Sequence, residues 1–123
     1  MFQMARRSDL TVRRDALLAR MRLLCAEPLM RGSIVERTRR CGRKACACAS
    51  DPAARHGGMY LSVHLGGKTH AVPLRSEDLD RARAGVDSYN RFWELLTKLT
   101  ACELEMLHAA ARERRRGRQR RRA

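Results

Sequence analysis

Large rings are scarce in this chain. Phe2, Tyr60, Tyr89, Phe92 and Trp93 are the aromatic residues among 123, so each core side chain has less apolar area to bury. A chain of this length supports one compact domain. With so few rings, support from a metal ion or a second subunit is expected. Long apolar runs are missing as well. Nothing approaches the roughly 20 residues of a membrane span, and the opening MFQMARRSDL has bases but no apolar stretch behind them. These absences argue against a span and a secretory leader, and with five cysteines they imply a reducing, cytoplasmic setting. Clustered thiols in such a setting more often bind metal than pair with one another.

Signatures of catalysis are lacking too. GGKTH ends like a phosphate-binding loop, but Ser62 stands where that motif needs glycine, and a strand rather than a helix is predicted to follow. HGGM resembles an esterase oxyanion loop, yet no G-x-S-x-G is present. No enzyme activity is expected.

Acidic residues are outnumbered 13 to 27, which gives a formal charge of +14. Half of that excess lies in RERRRGRQRRRA, from Arg112 to Ala123, with bases Arg112, Arg114, Arg115, Arg116, Arg118, Arg120, Arg121 and Arg122 against Glu113. A second concentration runs from Arg31 to Lys44 and includes Arg37, Arg39, Arg40, Arg43 and Lys44. Such clusters attract polyanions by counter-ion release, so these residues are candidates for nucleic-acid binding, to DNA or RNA. The alternative is a solvated tail that aids solubility.

The patterning predicts an α+β fold: an N-terminal helix, a small three-stranded antiparallel sheet with a cysteine-rich zinc knuckle, a long C-terminal helix and a disordered basic tail. The first helix is expected over 9–27, with Ser8 as its N-cap, Pro28 beyond its end, and a stripe of Leu10, Leu17, Met21 and Leu24 flanked by Leu18 and Cys25. The strand, knuckle and hairpin occupy 32–75. GSIVERTRR reads as one strand. MYLSVHLGGKTHAVPL reads as a hairpin turning at Gly66-Gly67, with Leu65 opposite Lys68, Val63 opposite His70 and Leu61 opposite Val72. Ser76 is read as the cap of a helix over 76–111, and Gly85 as a point where that helix could break. Its apolar residues, including Trp93, Leu99 and Leu107, spread over an arc of about 200°. One partner helix covers about half of that width, which raises the possibility of a homodimer. The single domain is thus placed at 1–111 and the tail at 112–123.

Three cysteines fall at C-x4-C-x-C, and His56 follows seven residues later. Zinc takes four sulfur or nitrogen donors in a tetrahedron, and Gly42 lets the chain turn back after Cys41. Cys41, Cys46, Cys48 and His56 therefore form a candidate Cys3His zinc site. The alternative is three unrelated free thiols, although no apolar pattern around them would bury such thiols. Neighbouring cations would also favour thiolates, which leaves a redox switch open. His70, beside Val63 on the apolar sheet face, is the reserve fourth ligand and otherwise a core residue. His64 faces outward.

RGSIVERTRRCGRKACACA, HGGMYLSVHLGGKTHAVPL and SEDLDRARAGVDSYNRFWELLTKL together resemble an uncharacterised family of small bacterial and archaeal proteins, a domain of unknown function. The resemblance runs from about Met30 to Leu99. It implies an arrangement, in which Cys41, Cys46, Cys48 and His56 act together, and no activity. The chain departs from that pattern at Gly58, where proline is usual, and at Gly85.

Overall fold

The fold was described from a computed structural model, over residues 6–122. The first five residues, part of the segment read against a leader, and Ala123 of the arginine run lie outside the described residues. Elements follow in the order α1 (Arg7–Cys25), β1 (Ser33–Arg39), two short 3-10 turns (Ala47–Ala49 and Pro52–Ala54), β2 (His56–Leu65), β3 (Lys68–Leu74) and α2 (Ser76–Arg122). The fold is α+β: an N-terminal helix, a three-stranded antiparallel sheet bearing the cysteine cluster, and a long C-terminal helix. Two compact units divide it, one of residues 1–27 and 90–123, the other of 28–89.

In the first unit α1 packs antiparallel on the C-terminal part of α2. Leu10, Leu17, Met21, Leu95, Cys102 and Ala109 form its buried core, with Leu18, Leu24, Phe92, Leu96, Leu99 and Met106 packed around them. The Cys102 thiol is buried and donates a hydrogen bond to the Leu10 carbonyl at 3.3 Å. Ion pairs flank the seam: Arg7 with Glu113 at 3.2 Å, Arg13 with Glu105 at 3.5 Å, and Arg14 with Glu103. The Glu103 carboxylate raises the pKa of the Arg14 guanidinium above its ordinary value. Cys25, read as part of the stripe, is exposed instead.

Helix ends depart from the sequence reading. α1 starts at Arg7, with Arg6 at the cap position and no capping side chain, so Ser8 sits inside the first turn. It stops at Cys25, two residues short of the expected Glu27. Ser76 is likewise the first helical residue of α2 rather than its cap: the Arg75 carbonyl accepts from the amides of Asp78 and Leu79. The helix then runs on to Arg122, so the arginine run is helical where its composition predicts disorder. Arginine has good helix propensity, and Arg120, Arg121 and Arg122 in the last turn face the negative end of the helix dipole.

In the second unit the strand order is β1-β2-β3. The hairpin has the expected register, with Leu65, Val63 and Leu61 opposite Lys68, His70 and Val72. Gly66 and Gly67 both have positive φ, at 57° and 77°, as a two-residue turn matched to strand twist requires. β1 joins the other edge of β2 with Ile34 opposite Leu61 and Arg39 opposite His56. Leu61 is buried and Ile34, Met59, Val63 and Leu74 are half-buried on one face, while Ala82 and Gly85 of α2 are also buried in this unit. His70, expected in this core, is exposed, because it lies close to the hairpin turn on the edge strand β3, with Val72 and Leu65 already 48% and 53% exposed. Gly85 does not break α2. A Cβ there would come within 2.9 Å of the Met30 side chain, and the Met30 amide donates to the Gly85 carbonyl at 3.0 Å. Glycine is present to admit this segment, not to end the helix.

Candidate metal centre

The sixteen residues between β1 and β2 carry the three cysteines of the cluster. Directly after Cys41, Gly42 takes a φ of 84° and reverses the chain. The Cys46 amide then donates to the Arg43 carbonyl at 3.2 Å, which closes a turn around Lys44 and Ala45. A 3-10 turn over Ala47–Ala49 curls the backbone between Cys46 and Cys48. Asp51 caps the next turn, accepting from the Ala53 amide at 3.0 Å, and Pro52 begins it. The chain thereby returns to His56, the first residue of β2, held opposite Arg39 by the ladder.

Cys41, Cys46, Cys48 and His56 each offer one donor atom, and all four atoms lie within 4.8 Å of one another. The Cys41 and Cys48 sulfurs are 3.5 Å apart, and the Cys46 sulfur is 3.4 Å from Nε2 of His56. Around a tetrahedral zinc, bond lengths of about 2.3 Å to sulfur and 2.0–2.1 Å to nitrogen set S···S edges near 3.8 Å and S···N edges near 3.6 Å. The two short edges found here have that size, and the donor types suit a soft or borderline cation. Cys48 is buried and accepts from the Cys41 amide at 3.3 Å. Cys41 and His56 are exposed, and a recess lined by Cys41, Arg43, Ala45, Cys46 and His56 opens the cluster to solvent. The four residues can therefore hold a metal ion at a site that small chelators can reach.

The remaining candidate site residues lie among the described residues. His70 is not among the four. His64 is exposed, with Nδ1 3.2 Å from the Thr69 hydroxyl across the hairpin. Arg37 and Arg39 are exposed on β1, two residues apart and so on one face. Arg40, Arg43 and Lys44 are exposed in the loop around the cluster. Arg112 is half-buried, and Arg114, Arg115, Arg116, Arg118, Arg120, Arg121 and Arg122 are exposed over the last turns of α2. These bases thus fall into two sets, one in each unit. Tyr60 shares the face of Arg37 and Arg39, because β1 pairs with β2.

Among the described residues, no helix is long and apolar enough to cross a membrane. A family defined as a domain of unknown function (DUF6788) matches residues 7–84, more than half of the chain, and the chain belongs to that family. The match takes in α1 as well as the sheet and the cluster, and so reaches further toward the N-terminus than the resemblance read from motifs. No curated protein and no solved structure matches the chain.

Proposed function

For this member of a family without an assigned activity, we propose a small zinc-binding protein that attaches to DNA or RNA mainly through phosphate contacts. What carries the reading is the spacing of the four donors, tetrahedral in its short edges, within a loop and strand that present Arg37, Arg39, Arg40, Arg43 and Lys44. Zinc at Cys41, Cys46, Cys48 and His56 fixes the loop and hence the charges around it. Three thiolates and one imidazole give the complex a formal charge of −1, which the neighbouring arginines offset. Arg112 to Arg122 form a second basic surface, on a helix with no apolar side to bury beyond Ala111. The role is binding rather than catalytic, and cytoplasmic.

Elemental analysis of the purified chain tests the metal, with about one zinc per chain expected. A different metal, or no metal, overturns the assignment. A salt titration of duplex binding tests the phosphate contacts: log affinity should fall against log salt with a slope of about −0.9 per contact. A flat response favours a second reading, supported by a separate observation. Trp93, Leu104 and Leu107 are 57%, 52% and 67% exposed, and with Thr97 and Thr100 they recur at alternating spacings of four and three along α2. Both threonine hydroxyls donate back to helix carbonyls, of Trp93 and Leu96, leaving methyl groups for contact. That seam suits a partner helix, including the same helix in a homodimer.

A further inference from the structure

We infer that the outward face of the sheet is a stacking platform for single-stranded nucleic acid, with Tyr60 under a base and Arg37 and Arg39 on its phosphates. The inference rests on the phosphate-binding reading and adds to it a site and a strand preference.

Strand register assigns the faces. Val35 is opposite Tyr60 and Pro73, Arg37 opposite Gly58, and Arg39 opposite His56. Directly opposed residues of an antiparallel ladder share a face, and alternate residues of each strand share it too. This face therefore bears Ser33, Val35, Arg37 and Arg39 of β1, then His56, Gly58, Tyr60, Ser62 and His64 of β2, then Thr69, Ala71 and Pro73 of β3. The buried Leu61 lies on the other face. Glu36 does as well, opposite Met59, so the outward face of the described strands carries no acid. Its cations are aligned, since β1 places Ile34, Glu36 and Thr38 on one side and Arg37 and Arg39 on the other.

The ring is placed for contact. A Cβ on Gly58 would lie 3.5 Å from Cε2 of Tyr60, so the ring reaches back over a residue that has no side chain. It lies beside the strand position of Arg37 and remains only half-buried, although it sits on the middle strand. Aromatic stacking accepts any base, because every base has a π-face, and arginines alongside follow the backbone. A duplex keeps its base faces within its own stack and can use only the arginines. A lone ring supports one base, so the platform distinguishes single strands from duplexes rather than one sequence from another.

The test uses the full chain as purified, with a labelled single-stranded oligonucleotide of about twelve residues and a duplex of the same length, read by fluorescence anisotropy. Tyr60→Leu should weaken single-strand binding on the order of tenfold. It should leave the salt slope and the duplex affinity unchanged, whereas Tyr60→Phe should retain single-strand binding. Arg37→Gln should instead lower the single-strand slope by about 0.7. Should Tyr60→Leu fail to fold by circular dichroism, the slopes of Arg37→Gln and Arg39→Gln decide, and unchanged slopes in both overturn the platform. Single-strand binding by folded Tyr60→Leu within twofold of the parent also overturns it, and leaves the phosphate reading standing if both nucleic acids still bind. If the parent binds neither at low salt, the phosphate reading fails, and the platform with it.

Discussion

Cys48 is the residue on which the loop turns. It is the buried member of the cluster, it accepts from the Cys41 amide, and it sits against the Cys41 sulfur. Cys48→Ser removes a soft donor from a site with no spare sulfur within the loop, so zinc affinity should drop by more than a hundredfold. Competition with a chromophoric chelator measures it. His56→Ala should also lower affinity, but it opens the exposed corner rather than the buried one. Chelation of the parent should release the loop while the helices remain, seen as lost amide-exchange protection over 40–58 with most helical circular dichroism retained. Unchanged exchange there would remove the ion from the structural argument. Gly32 is a second sensitive residue, for steric reasons. A Cβ at Gly32 meets the Ser62 carbonyl at 2.7 Å, and backbone cannot swing aside as a side-chain end would. Gly32→Ala should cost about 1–3 kcal/mol in urea unfolding, as overpacking does elsewhere.

Among the elements, the β2–β3 hairpin is the most tightly specified. Both turn glycines have positive φ, which asparagine tolerates and a β-branched residue does not. Gly66→Asn should leave stability within about 0.5 kcal/mol of the parent, and Gly66→Val should lower it by more than 1 kcal/mol, both by denaturant melts. This turn was legible in the sequence because two residues fix a register, and one register put every large apolar residue of β2 on a single side. The four donors were legible for a related reason: a return after Cys41 needs Gly42, and three sulfurs among basic residues have no apolar surface to join. Helix ends were not legible. Ser8 and Ser76 have the chemistry of caps, but each lies inside its helix, by two residues and by one, and no side chain caps α1. Nor was the helical state of the arginine run, where charge density argued for disorder while propensity and the Arg7–Glu113 pair argue for helix.

At the scale of the whole molecule, positive charge is divided between the sheet unit and the end of α2. Replacing Arg118, Arg120, Arg121 and Arg122 by glutamine removes four charges and no buried side chain. On duplex DNA the salt slope should flatten in proportion to the phosphates these residues contact, at most by about 3.6, with no change in zinc content. A chain stripped of zinc but keeping its arginine helix should show the reverse, losing the contribution of Arg37 and Arg39 and keeping that of the helix. The two measurements together apportion affinity between the units.

The unequal connections within the sheet carry a consequence for assembly. β3 reaches β2 through two residues, and β1 reaches it through sixteen. Closing the wider span costs about 2 kcal/mol more in chain entropy. An ion held by Cys41 and His56, near the two ends of that span, would keep it shut and so secure the strand with the longer connection. That strand bears Arg37 and Arg39. Supply of a trace element would then govern whether two cations stand in line on a surface or wander on a tether.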